Sequence, residues 1–195
     1  MESVMRRAII FTAALIGGAV LASPVYAGPI LSDTWYEFSF GAPGTSATGC
    51  SPVDPAGDFC VPSSGTPTTF LDAPPWTFTA GAGGAVLTVT DAFDSDDQFE
   101  ILDFGVPIGF TSFPGAIVNC GDDPVPCLAD PDMSHGFFLM VAGNHSITIA
   151  PSAGGFGAGY LIVESAQVVP EPATLVLLGT GTAITVWRKH RRRSL

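Results

Sequence analysis

Gly84 to Phe93 read GAVLTVTDAF, a stretch in which apolar residues alternate with threonine. Leu87 and Val89 alternate with Thr88 and Thr90. In an extended chain the two apolar side chains would share one face, and the two hydroxyls would share the other. The β-branched residues also favour a strand over a helix. The stretch therefore predicts a strand with one face turned toward an apolar core.

Similar short apolar or aromatic segments recur along the chain, and Gly, Pro, Asp and Ser turns separate them. They are TWYEFSF (34–40), TTFLD (68–72), PWTFTA (75–80), QFEILDFG (98–105), VPIGFTSF (106–113), GFFLMVAG (136–143), HSITIA (145–150) and GAGYLIVES (157–165). A turn near Gly105 and the Gly143-Asn144 pair predict two hairpins. No segment between 28 and 168 has a helical period. We expect eight or nine strands in an all-β fold, an antiparallel β-sandwich of jelly-roll type.

Charge divides the chain into a centre and two ends. The net charge is -11, and every Lys and Arg lies before residue 8 or after residue 187. The centre, from Gly28 to Pro170, holds only acidic charged residues. Such a domain repels nucleic acid, because phosphate binding depends on Lys and Arg. Its acidic surface suits a divalent cation or a neutral partner, and it also serves solubility alone.

The first 27 residues have the three parts of a secretory signal peptide. Arg6 and Arg7 precede the apolar run Ala8 to Leu21, and small residues at Val25 and Ala27 mark a cleavage site. We place the cut after Ala27. The sequence therefore predicts a signal helix over 1–27 and an exported domain over 28–168.

The end of the chain, residues 169–195, has a second set of signals. Pro170-Glu171-Pro172 leads into an uncharged run from Ala173 to Trp187, and a basic cluster follows at Arg188, Lys189, Arg191, Arg192 and Arg193. Fifteen helical residues span about 22 Å against roughly 30 Å of hydrocarbon. Trp187 at the interface and snorkelling basic side chains would extend that reach. We expect a short transmembrane helix with its basic end in the cytoplasm.

These residues resemble the PEP-CTERM sorting signal of Gram-negative bacteria, in which a Pro-Glu-Pro triplet, an apolar run and an Arg-rich end follow in this order. The resemblance implies that the tail first holds the exported chain in the inner membrane. An exosortase-type membrane peptidase would then process it, and the protein would pass to the cell surface or the extracellular polysaccharide matrix. It specifies a route and not an activity.

The centre, with its Asp103-Phe104-Gly105 turn, also resembles an exported β-domain that accompanies such tails and usually has Asp-Asn-Gly there. This second resemblance implies only the fold.

Four cysteines fit an exported domain. They allow three pairings. We favour the local pairs Cys50–Cys60 and Cys120–Cys127, because each lies in a loop rich in Pro, Gly and Asp. A zinc site is disfavoured, since it prefers closer Cys-x-x-Cys spacing.

A dense acidic stretch, DAFDSDDQFE, is the candidate metal site. Hard cations take several oxygen ligands from flexible loops. The stretch offers such ligands for Ca²⁺, although it lacks the EF-hand pattern, and a solvated hairpin loop is the alternative. Its acidic residues are Asp91, Asp94, Asp96, Asp97 and Glu100.

Signals for catalysis are weak, and we do not expect an enzyme. No Gly-x-Ser-x-Gly motif is present. The adjacent Ser134 and His135 do not by themselves place a base against a nucleophile, and His135 with His145 lacks a third metal ligand. We expect a structural or adhesive matrix component. The alternatives are a carbohydrate-binding module that stacks sugars on Trp35, Tyr36 or Trp76, and a secreted hydrolase.

Overall fold

A computed structural model describes residues 28–166, and the predicted signal peptide (1–27) and sorting tail (169–195) lie outside them. The described residues form nine strands and one short helix. These are β1 (Trp35–Phe40), β2 (Thr68–Phe70), β3 (Trp76–Ala80), β4 (Ala85–Asp91), β5 (Gln98–Asp103), β6 (Val106–Phe110), α1 (Pro124–Ala129), β7 (His135–Met140), β8 (Gly143–Ala153) and β9 (Gly157–Ser165).

The strands form two sheets, one of five strands in the order β2-β1-β9-β4-β7 and one of four in the order β3-β8-β5-β6. All strand pairs are antiparallel except β1 with β2, which run parallel. The prediction of a purely antiparallel sandwich is therefore wrong at this one edge. The reason lies in the long loop between β1 and β2, which returns the chain to the end of the sheet from which β1 started.

The core lies between the two sheets and is built from alternating positions of both. Leu87 and Val89 of β4 are fully buried there, as the alternation predicts. Phe38 of the five-stranded sheet meets the ring of Phe99 in the four-stranded sheet edge to face at 5.6 Å, and it meets Trp76 at 5.8 Å. These interlocking aromatic rings bring the two sheets into contact.

One predicted hairpin is present and the other is not. β5 and β6 pair across the turn at Phe104 and Gly105. The strands around Gly143-Asn144 do not pair, because β7 bonds to β4 while β8 bonds to β3 and β5. Val141 and Ala142 carry the chain from one sheet to the other, and Gly143 already belongs to β8. Both strands thus find partners that lie far away in the sequence.

The outer face of the five-stranded sheet is also covered. Thr88 and Thr90, which the alternation places on a solvent face, are buried as fully as the core residues. The two disulfide loops lie over part of this face: Cys50 and Cys60 lie beside Glu37, and Cys127, within α1, clusters with Tyr160. Asp123 caps α1 by accepting from the N–H of Val125, and Pro124 opens it.

The expectation of no helix is wrong only for α1, which has six residues. Within 28–166 no helix has the length and apolar character that crossing a bilayer requires.

Candidate functional site

The structure separates the predicted metal ligands into buried and exposed groups. Asp91 and Asp97 are buried, whereas Asp94 and Asp96 are exposed and Glu100 is half-buried. The carboxylate of Asp94 accepts a hydrogen bond from the side-chain amide of Asn119 at 2.9 Å. Within 28–166, no three carboxylates of this stretch bring oxygen atoms within 4.8 Å of one another. Calcium binding here stays a prediction.

Asp91 and Asp97 lie at the same end of the core, because β4 ends at Asp91 and β5 begins directly after Asp97. Oδ1 of Asp91 accepts from the N–H of Ala92 at 2.9 Å, and Oδ2 accepts from the N–H of Asp97 at 3.4 Å. Burial and the nearby charge of Asp97 raise the pKa of Asp91 to about 9. Burial raises the pKa of Asp97 to about 6, although the N–H of Gly155 opposes the shift. The pair therefore retains one proton at neutral pH, mainly on Asp91, while Asp97 is mostly ionised.

A third unusual carboxyl group, Glu37, was not identified from the sequence. It lies at the centre of β1, points away from the main core and is fully buried. Neither of its oxygens has a hydrogen-bond partner. Burial raises its pKa to about 7, and the negative charge of Asp122 adds to the shift, while the nearby N–H of Val61 opposes it without forming a hydrogen bond. The alternation of TWYEFSF placed Glu37 on the face opposite Phe38, but it gave no sign that loops cover that face.

The two histidines of the domain lie apart and have separate partners. His145 is the third residue of β8, and its side chain is buried. Its two ring nitrogens face the carboxylate of Asp103 and the carbonyl of Val141. His135 begins β7, and its Nδ1 faces the carbonyl of Met133 at 2.9 Å. Both nitrogens of His145 are thus engaged by protein atoms, so the ring has none free for a metal shared with His135.

Ser134 and His135 do not form a nucleophile and base. The hydroxyl of Ser134 donates to the carbonyl of Ser112 at 2.6 Å and also contacts the hydroxyl of Thr111. His135 points to the backbone of Met133 instead. The side chains of this adjacent pair thus turn to different neighbours.

Two of the three aromatic side chains expected to stack on sugars are buried, which corrects that expectation. Trp76 is fully buried and donates its indole N–H to the carbonyl of Asp72 at 2.8 Å. The hydroxyl of buried Tyr36 accepts from the N–H of Leu31. Trp35 is half-buried. These rings lie in the core because burial of an aromatic side chain removes a large apolar area from water.

An open groove of about 530 Å³ lies on the outer face of the four-stranded sheet, where β3 and β8 meet. Thr77 and Thr79 point outward from β3, opposite Ser146 and Asn144 of β8. The hydroxyl of Thr79 donates to Oδ1 of Asn144 at 2.8 Å, so the side-chain amide N–H groups of Asn144 stay available. The exposed ring of Phe104 closes one side. The groove combines uncharged hydrogen-bonding groups with an apolar surface.

Both disulfides link cysteines that are close in sequence. Cys50 bonds to Cys60 and Cys120 bonds to Cys127, with Cα atoms 5.6 Å and 4.9 Å apart. These are the local pairs among the three possible pairings. They close the loops over Glu37 and Tyr160, whose hydroxyl donates to the carbonyl of Asp122 at 2.8 Å.

Comparison with known proteins identifies the tail. Residues 168–193 match the PEP-CTERM protein-sorting motif. This match confirms the resemblance of the tail and implies an exosortase substrate. No curated protein and no solved structure matches the chain. The motif and the two disulfides together indicate an exported protein of the cell envelope.

Proposed function

We propose that the chain is a non-enzymatic adhesive component of the bacterial surface or matrix, and that its domain binds neutral polysaccharide. The signal peptide (1–27) exports the domain (28–168). The tail (169–195) holds it in the inner membrane until an exosortase-type peptidase processes it. The PEP-CTERM match supports this route, and the uncharged run before the basic cluster supports a transient single-pass anchor.

The groove between β3 and β8 is the proposed binding site for the polysaccharide. Its hydroxyl and amide groups can exchange hydrogen bonds with sugar hydroxyls, and Phe104 offers an apolar surface to a sugar ring. No Lys, Arg, Asp or Glu side chain lines the groove, and His145, which does, turns its ring nitrogens to Asp103 and the carbonyl of Val141. The domain as a whole holds 13 Asp and 3 Glu without a Lys or Arg, so it repels acidic polymers and favours neutral ones.

The strand order supports a jelly-roll assignment, which is the finer fold we propose. Apart from β2, each sheet has four strands. The chain changes sheets six times: between β2 and β3, β3 and β4, β4 and β5, β6 and β7, β7 and β8, and β8 and β9. Double sheets of eight strands occur in jelly rolls, a fold that lectins use. A fold alone does not determine function. The proposal that the domain binds polysaccharide therefore rests on the groove.

A glycan-array screen tests the proposal, with the tail-free exported domain as probe and with calcium or chelator in the buffer. We expect retention on neutral glycans and none on uronic-acid polymers. Asn144→Ala should weaken retention, since it removes the central amide of the groove. Ser152→Ala is the matched control, because Ser152 is exposed on the same strand but outside the groove. Retention that is unchanged in Asn144→Ala, or absent on all neutral glycans, would refute the groove as the binding site.

A further inference from the structure

A group of exposed apolar side chains lies where the two sheets end side by side. β6 is the last strand of one sheet and β7 the last strand of the other. The N–H of Ser112, just after β6, donates to the carbonyl of His135 at 2.7 Å, and the ring of Phe138 fills the space beside Gly109. Six exposed apolar side chains lie on these two edge strands or directly after β7, and together they are called the β6–β7 patch: Val106, Ile108, Phe110, Phe137, Leu139 and Val141.

The β6–β7 patch is uncharged and strongly exposed. Neither strand contains Lys, Arg, Asp or Glu. Leu139 is 86% exposed and Val141 is 76% exposed, values unusual for residues in or beside a strand. An apolar surface of this extent on a soluble domain marks a contact with another apolar phase.

The described chain ends beside this patch. Ser165 pairs with Ala85, and Ala85 pairs with Met140 on its other side. The N–H of Ala166 donates to the carbonyl of Gly84 at 3.1 Å, and a side chain at Gly84 would touch Val141. From Ala166 to Ala173, where the uncharged run starts, the chain can reach at most about 25 Å. A tail inserted in a bilayer must therefore keep this end of the domain close to the lipid.

The carboxylates of the 91–97 stretch lie toward the opposite end. β4 starts at Ala85, next to the chain exit, and ends at Asp91. Its seven residues span roughly 20 Å as a strand. The buried pair and the exposed Asp94 and Asp96 follow there. An anionic bilayer repels the carboxylates of that end, whereas the six side chains of the β6–β7 patch carry no charge. Glu100 and Asp103, opposite Phe110 and Val106 on β5, are both half-buried.

We propose that the β6–β7 patch rests on the lipid bilayer while the tail holds the chain in the membrane. The proposal rests on the membrane-held stage described under the proposed function. The tail raises the local lipid concentration, so a weak apolar contact suffices to orient the domain. The groove lies at the β3 edge, and β6 forms the opposite edge of that sheet. In this orientation the groove stays open to the outside, and removal of the tail releases the contact.

Photocrosslinking in the full-length chain tests the orientation. Leu139 and Phe156 are replaced, in separate chains, by photoreactive p-benzoylphenylalanine. Phe156 is the matched control, because it is 85% exposed and precedes β9 at the opposite end of the domain. Each chain is reconstituted in vesicles of phosphatidylethanolamine with a minority of phosphatidylglycerol. We expect several-fold more lipid adduct, measured by mass spectrometry, at position 139 than at position 156.

Three results would overturn the proposal: no lipid adduct at position 139, equal adduct at both positions, or a crosslink at position 139 to a second copy of the chain. Flotation of the vesicles in alkaline carbonate separates these results from failure of the anchor itself. A chain that does not float contradicts the membrane-held stage. A chain that floats without an adduct at position 139 contradicts only the orientation. Leu139→Glu should also lower the protection of β7 from hydrogen exchange in the vesicles, whereas Phe156→Glu should not.

Discussion

Nδ1 of His145 lies 2.8 Å from Oδ2 of Asp103, and Nε2 of the same ring lies 2.9 Å from the carbonyl oxygen of Val141. Asp103 ends β5, while Val141 lies on the crossover between the two sheets. The ring also stacks on Phe78 with centroids 4.9 Å apart. His145 therefore fastens the crossover, and with it one end of the β6–β7 patch, to the four-stranded sheet.

We expect His145→Ala to lower the free energy of unfolding by about 2–4 kcal/mol, because it removes two hydrogen bonds and leaves the side chain of Asp103 with one backbone partner. Urea unfolding measures the change. His135→Ala is the control, since His135 is only half-buried and makes one backbone contact. Equal losses in the two variants would show that His145 has no such fastening role.

The domain should be more stable in mild acid than in mild base. The pKa values of Asp97, Glu37 and Asp91 are raised to about 6, 7 and 9 in the folded chain. The folded state thus holds protons that the unfolded state releases. This stabilisation is complete below the unfolded pKa values and is lost as the pH rises through the folded ones. We expect the melting temperature, measured in chelator, to fall by at least about 3 °C between pH 5 and pH 9.

Asp91→Asn should remove much of this pH dependence and should raise the melting temperature at pH 8, because a carboxamide mimics the protonated acid. Asp58→Asn is the control, since Asp58 is exposed on a loop. A wild-type melting temperature that rises from pH 5 to pH 9 would contradict the raised pKa values of Asp91, Asp97 and Glu37.

Calcium should bind weakly near Asp91 and Asp97, where it competes with the proton that Asp91 holds, so its binding strengthens as the pH rises. At ten times its dissociation constant calcium adds about 1.4 kcal/mol, which is roughly 4 °C for a domain of this size. We expect that shift at pH 8 in millimolar calcium and a smaller one at pH 5. A variant with Asp94, Asp96 and Asp97 all changed to Asn is the control. An equal shift in this variant would place calcium elsewhere.

The disulfides should contribute separately to stability. Peptide mapping without reductant should recover Cys50 with Cys60 and Cys120 with Cys127. Replacing Cys50 and Cys60 together by Ser should cost about 2–3 kcal/mol, since the unfolded chain regains freedom. Recovery of Cys50 with Cys120 would contradict the structure.

Local sequence pattern predicted the strands better than it predicted their partners. The alternation around Leu87 and Val89 fixed which face of β4 enters the core. Gly143-Asn144 has the composition of a hairpin turn. That composition does not reveal that β7 pairs with β4 in one sheet while β8 pairs with β3 and β5 in the other. Partner choice depends on residues distant in sequence, and a short window does not contain them.

Burial on the second face explains why parts of the candidate site escaped the sequence analysis. Glu37, Thr88 and Thr90 occupy positions that would face water in a simple two-layer sandwich. Segments between the strands cover that face instead, with Cys50 and Cys60 beside Glu37 and the backbone of Ser134 beside Thr90. Such segments have no period that could predict where they pack. The acidic sequence of the 91–97 stretch likewise did not indicate that two of its carboxyl groups, those of Asp91 and Asp97, are buried.

Processing of the tail is tested by the intact mass of the chain isolated from the cell surface. We expect a product that begins at Gly28, ends within or just before the Pro-Glu-Pro triplet and lacks the four hydrogens that two disulfides remove. Replacing Pro170, Glu171 and Pro172 by Ala should leave the chain in the inner membrane with its tail intact. A surface-isolated wild-type chain whose mass still includes the segment through Leu195 would contradict processing by an exosortase-type peptidase.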